Sequence, residues 1–409
     1  MDGAHDFHDF RAKLLQESAW PQVVDYVRWQ HDRIAAKSAG VVPPLPPDAV
    51  PLSINLDLTT ACNYQCDHCI DWEILNSGTK YDEGQLRDSL CELTRRGMKS
   101  VILIGGGEPT LHPRFVEIVQ YLKQLGLEVA IVSNGSRGET LLAASEYLKE
   151  PDWIRLSLDA GTDETFQRMH RPRQRVTLDE ICDWVPQLKE QNSSLQIGYS
   201  FVVTWKGAAR EAVPIVENID ELVIAAERAR DYQFDYLSVK PFLMRQQENH
   251  AEIMDPQLAA QELSDVIARI KKSVAEAKRL ETNSFHIVES TNLQLLENQT
   301  WRDYTHQPSQ CHMQALRQVL TPHGIFNCPG YRGVAMARIA GPGDYCSEAA
   351  IHQTQHKLAE AIETFDASLQ CANVTCLYNA TNWWLQELID QPEKIEQIKT
   401  LPDGPDLFL

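Results

Sequence analysis

No run in the 409 residues approaches eighteen apolar positions, so a membrane-spanning helix is not expected. Positive charge is also short: 38 Lys and Arg stand against 57 Asp and Glu, a formal net charge of −19. Nucleic-acid binding rests on clustered cations, so a chain this acidic is not expected to have such a partner. A small anion met by a local arginine remains compatible with that balance. The opening Met1-Asp2-Gly3-Ala4-His5-Asp6 holds neither a basic region nor an apolar stretch. No signal peptide is therefore expected, and the cytoplasm is the expected compartment. Internal repeats and low-complexity tracts are absent as well.

Cysteine is not scarce. Ten cysteines in a chain expected to stay reduced point to metal or redox use rather than disulfides. Eight fall into two groups, one of three at 62–69 and one of five from Cys311 to Cys376. Cys91 and Cys182 sit in helical patterns and read as plain core residues.

The first group, Cys62-Asn63-Tyr64-Gln65-Cys66-Asp67-His68-Cys69, leaves an apolar alternating run at Ser53–Thr59. Its Cys-x3-Cys-x2-Cys spacing puts three thiolates on one short loop, able to converge on three corners of an iron–sulfur cube. No fourth cysteine lies nearby, so one iron would stay open for chemistry. A zinc knuckle is the competing reading, but structural zinc prefers paired Cys-x2-Cys units that close four ligands.

Around this loop the chain alternates. Strand signals lie at Ser53–Thr59, Ser100–Ile104, Glu128–Ser133, Trp153–Leu158, Leu195–Thr204 and Phe234–Lys240. Helical patterns separate them at Glu83–Arg96, Arg114–Leu125, Glu139–Leu148, Leu178–Glu190 and Asp220–Asp231, with Gly97 and Gly126 at helix ends. That order predicts an α/β fold with a parallel sheet and right-handed crossovers. Residues 1–50 read as short amphipathic helices and a proline-rich joint, a clasp on the main domain. This piece of about fifty residues carries no strand signal. Residues 51–290 form the main domain, closing with a helix at Pro256–Leu280 and a strand at Ser284–Glu289. Residues 291–409 hold the second cysteine group, a terminal helix over 377–398 and a loose tail.

Gly105-Gly106-Gly107-Glu108-Pro109 follows the second strand, where glycines let backbone approach a ligand. Ser133-Asn134 ends the third strand, and Ser157-Leu158-Asp159 ends the fourth. With the cysteine loop, these motifs closely resemble the radical SAM superfamily. The resemblance implies a partial (β/α)6 TIM-like barrel, with active residues at the C-terminal strand ends. It implies a 4Fe-4S cluster on Cys62, Cys66 and Cys69 whose open iron binds S-adenosylmethionine (SAM). One electron then cleaves SAM to methionine and a 5′-deoxyadenosyl radical. Gly105, Gly106, Gly107, Glu108 and Pro109 match the motif that holds the methionine amine. Ser133, Asn134, Ser157 and Asp159 resemble the ribose and carboxylate contacts. Of Arg168, Arg171, Arg173 and Arg175, Arg171 is taken as the SAM carboxylate partner.

The second group resembles the auxiliary-cluster region called SPASM, or its shortened twitch form. Five cysteines are too few for the two clusters of a full SPASM region, which favours a twitch domain with one further 4Fe-4S cluster. Cys311 and Cys328 would sit on a hairpin, with Cys371 and Cys376 arriving from a later helix start. Zinc in the same cage stays open, and Cys371-x4-Cys376 is wider than the usual pair. Cys346 is left over, as ligand, inert thiol or hydrogen-atom donor. The expected activity is hydrogen abstraction from a small hydroxyl-rich substrate, sugar or cyclitol, giving epimerisation through Cys346 or dehydrogenation. A peptide-modifying enzyme is the alternative, and a non-catalytic iron–sulfur electron-transfer protein is another. A low-potential donor such as flavodoxin or ferredoxin would supply the electron.

Overall fold

Each apolar alternating run forms a strand, because period-two patterning gives it one face for helices and one for a barrel interior. The structure, a computed structural model, describes residues 9–404 and 406–409. The opening Met1–Asp6 stretch lies outside the described residues. Among these, no helix is long and apolar enough to cross a membrane.

The strands are β1 (Ser53–Leu56), β2 (Ser100–Leu103), β3 (Glu128–Ser133), β4 (Trp153–Ser157), β5 (Gln196–Val203) and β6 (Tyr236–Pro241). β7 (His286–Glu289), β8 (Arg317–Thr321), β9 (Gly324–Phe326) and β10 (Arg338–Ala340) follow. They build one ten-stranded sheet in the order β7-β6-β5-β4-β3-β2-β1-β8-β9-β10. β7 through β8 are parallel neighbours, and β8-β9-β10 continue antiparallel. The sheet is unclosed, the partial-barrel form expected. The second cysteine group is not set apart from the barrel, since β8 pairs with β1 from Ser53↔Arg317 to Leu56↔Leu320.

Helices Glu83–Arg95, Phe115–Gln124 and Leu222–Asp231 cover the outer face, against Ile54, Leu56, Val101, Leu103, Leu237 and Val239. Gly97 and Gly126, at φ +115° and +81°, end the first two as helix caps. The pattern over Leu178–Glu190 splits into Leu178–Cys182 and Trp184–Gln191. Pro186 lacks the N–H that would bond back to Cys182, so a continuous helix fails there. Helices Asp163–His170 and Glu348–Thr364 were not anticipated. Cys182 is buried as expected, whereas Cys91 is exposed on its helix and is not a core residue.

Two further expectations give way to packing. Helices Phe10–Leu14 and Trp20–Ser38 lie on the C-terminal region, where Phe10 meets Tyr378 at 4.5 Å and Trp20 stacks on Trp384 at 6.1 Å between ring centres. The end of the chain is not loose. Leu407, Phe408 and Leu409 are buried at the N-terminal ends of β1–β4. Phe408 packs with Ile102, Ala130 and Trp153. The Ser100 hydroxyl donates to the Leu407 carbonyl (2.7 Å), Lys13 Nζ to the Phe408 carbonyl (2.6 Å) and the Leu407 N–H to Glu128 (2.8 Å). Burying a side chain of this size stabilises by about 1.5–3 kcal/mol.

Candidate active site

The loop after β1 carries the three cysteines, and the ends of β3, β4 and β5 hold it in place. Asn63 Oδ1 accepts from Asn134 Nδ2 (2.9 Å), and Asn63 Nδ2 donates to Ser136 (2.9 Å). The Gln65 and Asp67 N–H groups donate to the carbonyls of His170 and Met169. Arg210, from a two-residue hairpin after β5, donates to the Cys66 carbonyl (3.1 Å) and lies over Trp72.

The three thiols lie within electrostatic reach of one another. Burial pushes Cys69 up to about 12, with Asp71 and Cys62 adding to it. Burial also raises Cys66, and both neighbouring cysteines reinforce the shift. Three thiolates gathered here call for a cationic partner, as a metal cluster provides. His170 Nε2 lies 2.9 Å from the Leu158 carbonyl and so carries its proton there, which leaves Nδ1 to accept from the Cys66 thiol at 3.2 Å. Burial, with His68 close by, lowers His170 to about 4 and keeps it neutral.

The glycine motif is placed as expected, but for a different reason. A Cβ on Gly105 would lie 2.5 Å from Arg332 Nη1, and one on Gly106 would lie 2.4 Å from Asp57 Oδ2. Both have φ above +60°. The space they vacate holds the buried Arg332–Asp57 ion pair. A Cβ on Gly107 would likewise lie 2.5 Å from the Thr59 and Ala61 carbonyl oxygens. Glu108 is buried and fully engaged. It accepts from the Thr110 N–H (3.1 Å) and hydroxyl (2.6 Å), Ser133 Oγ (2.8 Å) and the Asn134 N–H (2.7 Å). Pro109 opens the short turn Pro109–Leu111 that follows. Glu108, Ser133 and Asn134 thus form one hydrogen-bonded unit beside Cys62.

Asp159 is buried at φ +52°, and its carboxylate accepts from His68 (3.1 Å) and the Val202 N–H (2.8 Å). Burial raises it, yet His68 and His170 outweigh that and leave its pKa low. It supports the cysteine loop. Arg171 does not reach the strand ends: its guanidinium, with 55% of the side chain exposed, pairs with Asp67 at 2.9 Å. The nearby cation that acts on Cys62 is Arg173. Arg171 caps the helix Asp163–His170 in the left-handed conformation, which turns its side chain back over the loop.

Ser157 faces the barrel interior in a level that the sequence did not reveal. It is in register with Ser200 of β5, and Ser200 with Ser238 of β6. Three hydroxyls therefore sit side by side on adjacent strands. Isolated serines inside strands carry no signal until the register aligns them.

The second group also assembles. Cys311, Cys328, Cys371 and Cys376 line one pocket with Glu252, Arg317 and Tyr331. The hairpin β8–β9 lies between the first two. Cys311 is raised to about 12 by burial and then by Cys328, and burial also raises Cys371 and Cys376, each next to the other thiols. Zinc–sulfur bonds of ~2.3 Å in a tetrahedron set the sulfurs roughly 3.8 Å apart. Among the described residues, the one His, Cys, Asp or Glu trio with ligand atoms all within 4.8 Å is His68, Asp159 and His170. A cage of four thiols suits either a zinc ion or a further iron–sulfur cluster.

Cys346 is not brought to either group. It precedes the helix Glu348–Thr364 on the outer side of the sheet, next to Tyr345, whose hydroxyl bonds Gln318 at 2.7 Å. Tyr345 packs in the outer core with Leu86 and Ile351, and Gly343 presses on Gln85. The neighbours of Cys346, Tyr345 and Ile351, thus belong to the outer core, apart from both cysteine groups.

A buried ionic chain, formed by residues far apart in sequence, links the two cysteine sites. Arg332 sits between Asp57 at the end of β1 (Nε to Oδ2, 3.0 Å) and Asp71 just past Cys69 (2.8 Å). The Asp57 contact is out of line for a hydrogen bond and acts as an ion pair. Burial opposes Arg332's charge, but Asp57 and Asp71 outweigh it and hold the guanidinium charged. Arg245 donates to the Ile70 carbonyl (2.8 Å) and reaches toward Glu252 (4.0 Å) at the second cavity.

An open parallel barrel with a three-cysteine loop at its C-terminal end defines a cluster-bearing barrel enzyme. Residues 56–213 match the radical SAM superfamily, and the chain is an enzyme that carries this domain. It is 24% identical over 210 residues to an S-adenosylmethionine-dependent nucleotide dehydratase of Selenomonas ruminantium, covering 49% of this chain and 76% of the relative. It is 37% identical over 123 residues to the mycofactocin maturase MftC of Mycobacterium tuberculosis, covering 28% of this chain but only 29% of the maturase. In fold it is similar to Streptococcus suis SuiB, solved bound to the precursor peptide SuiA, at a TM-score of 0.55 and 13% identity, over 83% of this chain and 73% of SuiB.

Proposed function

We propose that the enzyme abstracts hydrogen from a small hydroxylated substrate held inside the barrel and oxidises it, a dehydrogenation. The observation that carries this reading is the serine level Ser157–Ser200–Ser238 below the cysteine loop. Hydroxyls both donate and accept, so three in a row suit a ligand rich in hydroxyl groups. When bound on Cys62, Cys66 and Cys69, a 4Fe-4S cluster with SAM supplies one-electron cleavage to a carbon-centred radical. The chain's own part is to hold that loop through Asn63, Asp67, His68 and Arg210, and to engage Glu108. A second cluster on Cys311, Cys328, Cys371 and Cys376, which line one pocket, would offer an electron acceptor. The electron donor would be a flavodoxin or ferredoxin.

The relatives named for a nucleotide and for a peptide product pull in different directions, and the polar interior favours the small molecule. The outer-core neighbours of Cys346 support dehydrogenation over epimerisation through that thiol. The test is anaerobically reconstituted protein with dithionite, SAM and uniformly deuterated glucose, glucose 6-phosphate or inositol, beside a mixed peptide pool. Deuterium appearing in 5′-deoxyadenosine from a hydroxylated compound supports the reading. Acceleration by peptides alone, or no SAM cleavage at all, overturns it.

A further inference from the structure

The barrel interior carries two cations for which the cluster loop has no use. Arg155 lies two residues below Ser157 on β4, and Lys240 lies two residues above Ser238 on β6, both on the serine face. The opposite face of these strands, with Leu156, Phe201 and Val239, belongs to the helix-covered core. Gly198 is in register with Arg155 and Tyr236, and a Cβ there would lie 2.2 Å from the Tyr236 ring. The tyrosine therefore lies across the glycine and floors the space beside Arg155.

Neither cation is neutralised. Among the described residues Lys240 has no ion pair or hydrogen bond, and the Arg155 Nε is buried without a hydrogen-bond partner. Arg155 lies over the Trp153 ring at 5.1 Å, a contact that does not cancel its charge. The carboxylate near both is Asp159, already engaged by His68 and Val202. Burial drives Lys240 well below its ordinary pKa, and Arg155 pushes it the same way. Burial likewise lowers Arg155. Unpaired interior cations are costly and cluster where a ligand completes them.

We propose that Arg155 and Lys240 bind an anionic group of the substrate, a carboxylate or a phosphate monoester, while Ser157, Ser200 and Ser238 meet its hydroxyls. The pair sets substrate specificity and rests on the reading of a small hydroxylated substrate in the barrel. Arginine offers a planar two-pronged donor and lysine a point charge, which together suit either anion.

The test uses reconstituted protein saturated with SAM and calorimetric titration with glucose, glucose 6-phosphate and gluconate. At least one anionic probe binds tenfold or more tightly than glucose. The phosphate and carboxylate arms report which anion is preferred. Lys240→Met and Arg155→Met each abolish that advantage, and Lys240→Arg keeps most of it, which separates lost charge from lost fold. SAM affinity changes less than twofold in all three. Equal binding of glucose and both anions, or an advantage that survives both methionine variants, overturns the proposal and leaves the hydroxyl reading standing. A tenfold loss of SAM affinity in the methionine variants overturns it as well, because the anion would then be SAM's own carboxylate. The binding readout does not depend on turnover, so failure of the dehydrogenase reading is scored separately.

Discussion

Replacing Arg332 with Met tests the ionic chain that braces the cysteine loop. The guanidinium is 5% exposed and lies 3.0 Å from Asp57 and 2.8 Å from Asp71, themselves almost fully buried. The methionine fills most of the volume but leaves two carboxylates without their cation, apart from the 3.5 Å approach of Arg245 to Asp71. Removing one partner from a buried pair costs about 3–5 kcal/mol. At a urea m-value of roughly 3 kcal/mol/M, the unfolding midpoint falls by about 1–1.7 M. The triple variant Asp57→Asn, Asp71→Asn, Arg332→Met leaves no charge stranded and recovers at least half of that loss. Urea titration followed by tryptophan fluorescence reads both. A loss below about 1 kcal/mol for the single variant, or a triple variant no better than the single, refutes the bracing role.

The other expectations follow from the same contacts. Gly107→Ala drives a methyl into the Thr59 and Ala61 carbonyls at 2.5 Å, so iron analysis finds the first cluster lost and the second retained. Changing Cys311, Cys328, Cys371 and Cys376 to Ala removes about half the bound iron but leaves SAM cleavage intact, since each four-iron cluster holds about four irons; unchanged iron with one tight zinc removed would assign the cavity to zinc. Cys346→Ala keeps full iron and turnover, because the thiol lies outside the barrel interior; loss of product with deuterium incorporation in the wild type would restore it as a donor. Burial raises Glu128 to about 7 against an ordinary 4.5. The folded state therefore binds this proton more tightly than the unfolded chain does. Stability from this group is greatest below pH 4.5, falls as pH rises and is lowest above pH 7. Glu128→Gln flattens that window and keeps an acceptor for the Leu407 N–H, measured as melting temperature against pH.

Local chemistry was legible before any tertiary contact. The spacing of Cys62, Cys66 and Cys69 belongs to one loop, and the alternating runs that became β1–β6 need only their own periodicity. Gly97 and Gly126 ended helices where a positive φ was needed. The positions of Glu108, Ser133 and Asn134 at strand ends followed from strand order. What depends on register and packing was not legible. Ser157, Ser200 and Ser238 are far apart in the chain and become one level when three parallel strands align. Arg155 and Lys240 looked like ordinary strand residues until the barrel turned them inward without partners. Phe408 looked like part of a tail until the barrel floor offered it Trp153. The run of four arginines could not say which one would turn toward Cys62, because the left-handed cap at Arg171 sends that side chain to Asp67. Cys346 counted as a spare ligand in the sequence, and packing placed its neighbours Tyr345 and Ile351 in the outer core. Spacing along the chain specifies groups that share a loop or a strand; the side of a sheet on which distant groups meet is set only when the whole sheet closes around them.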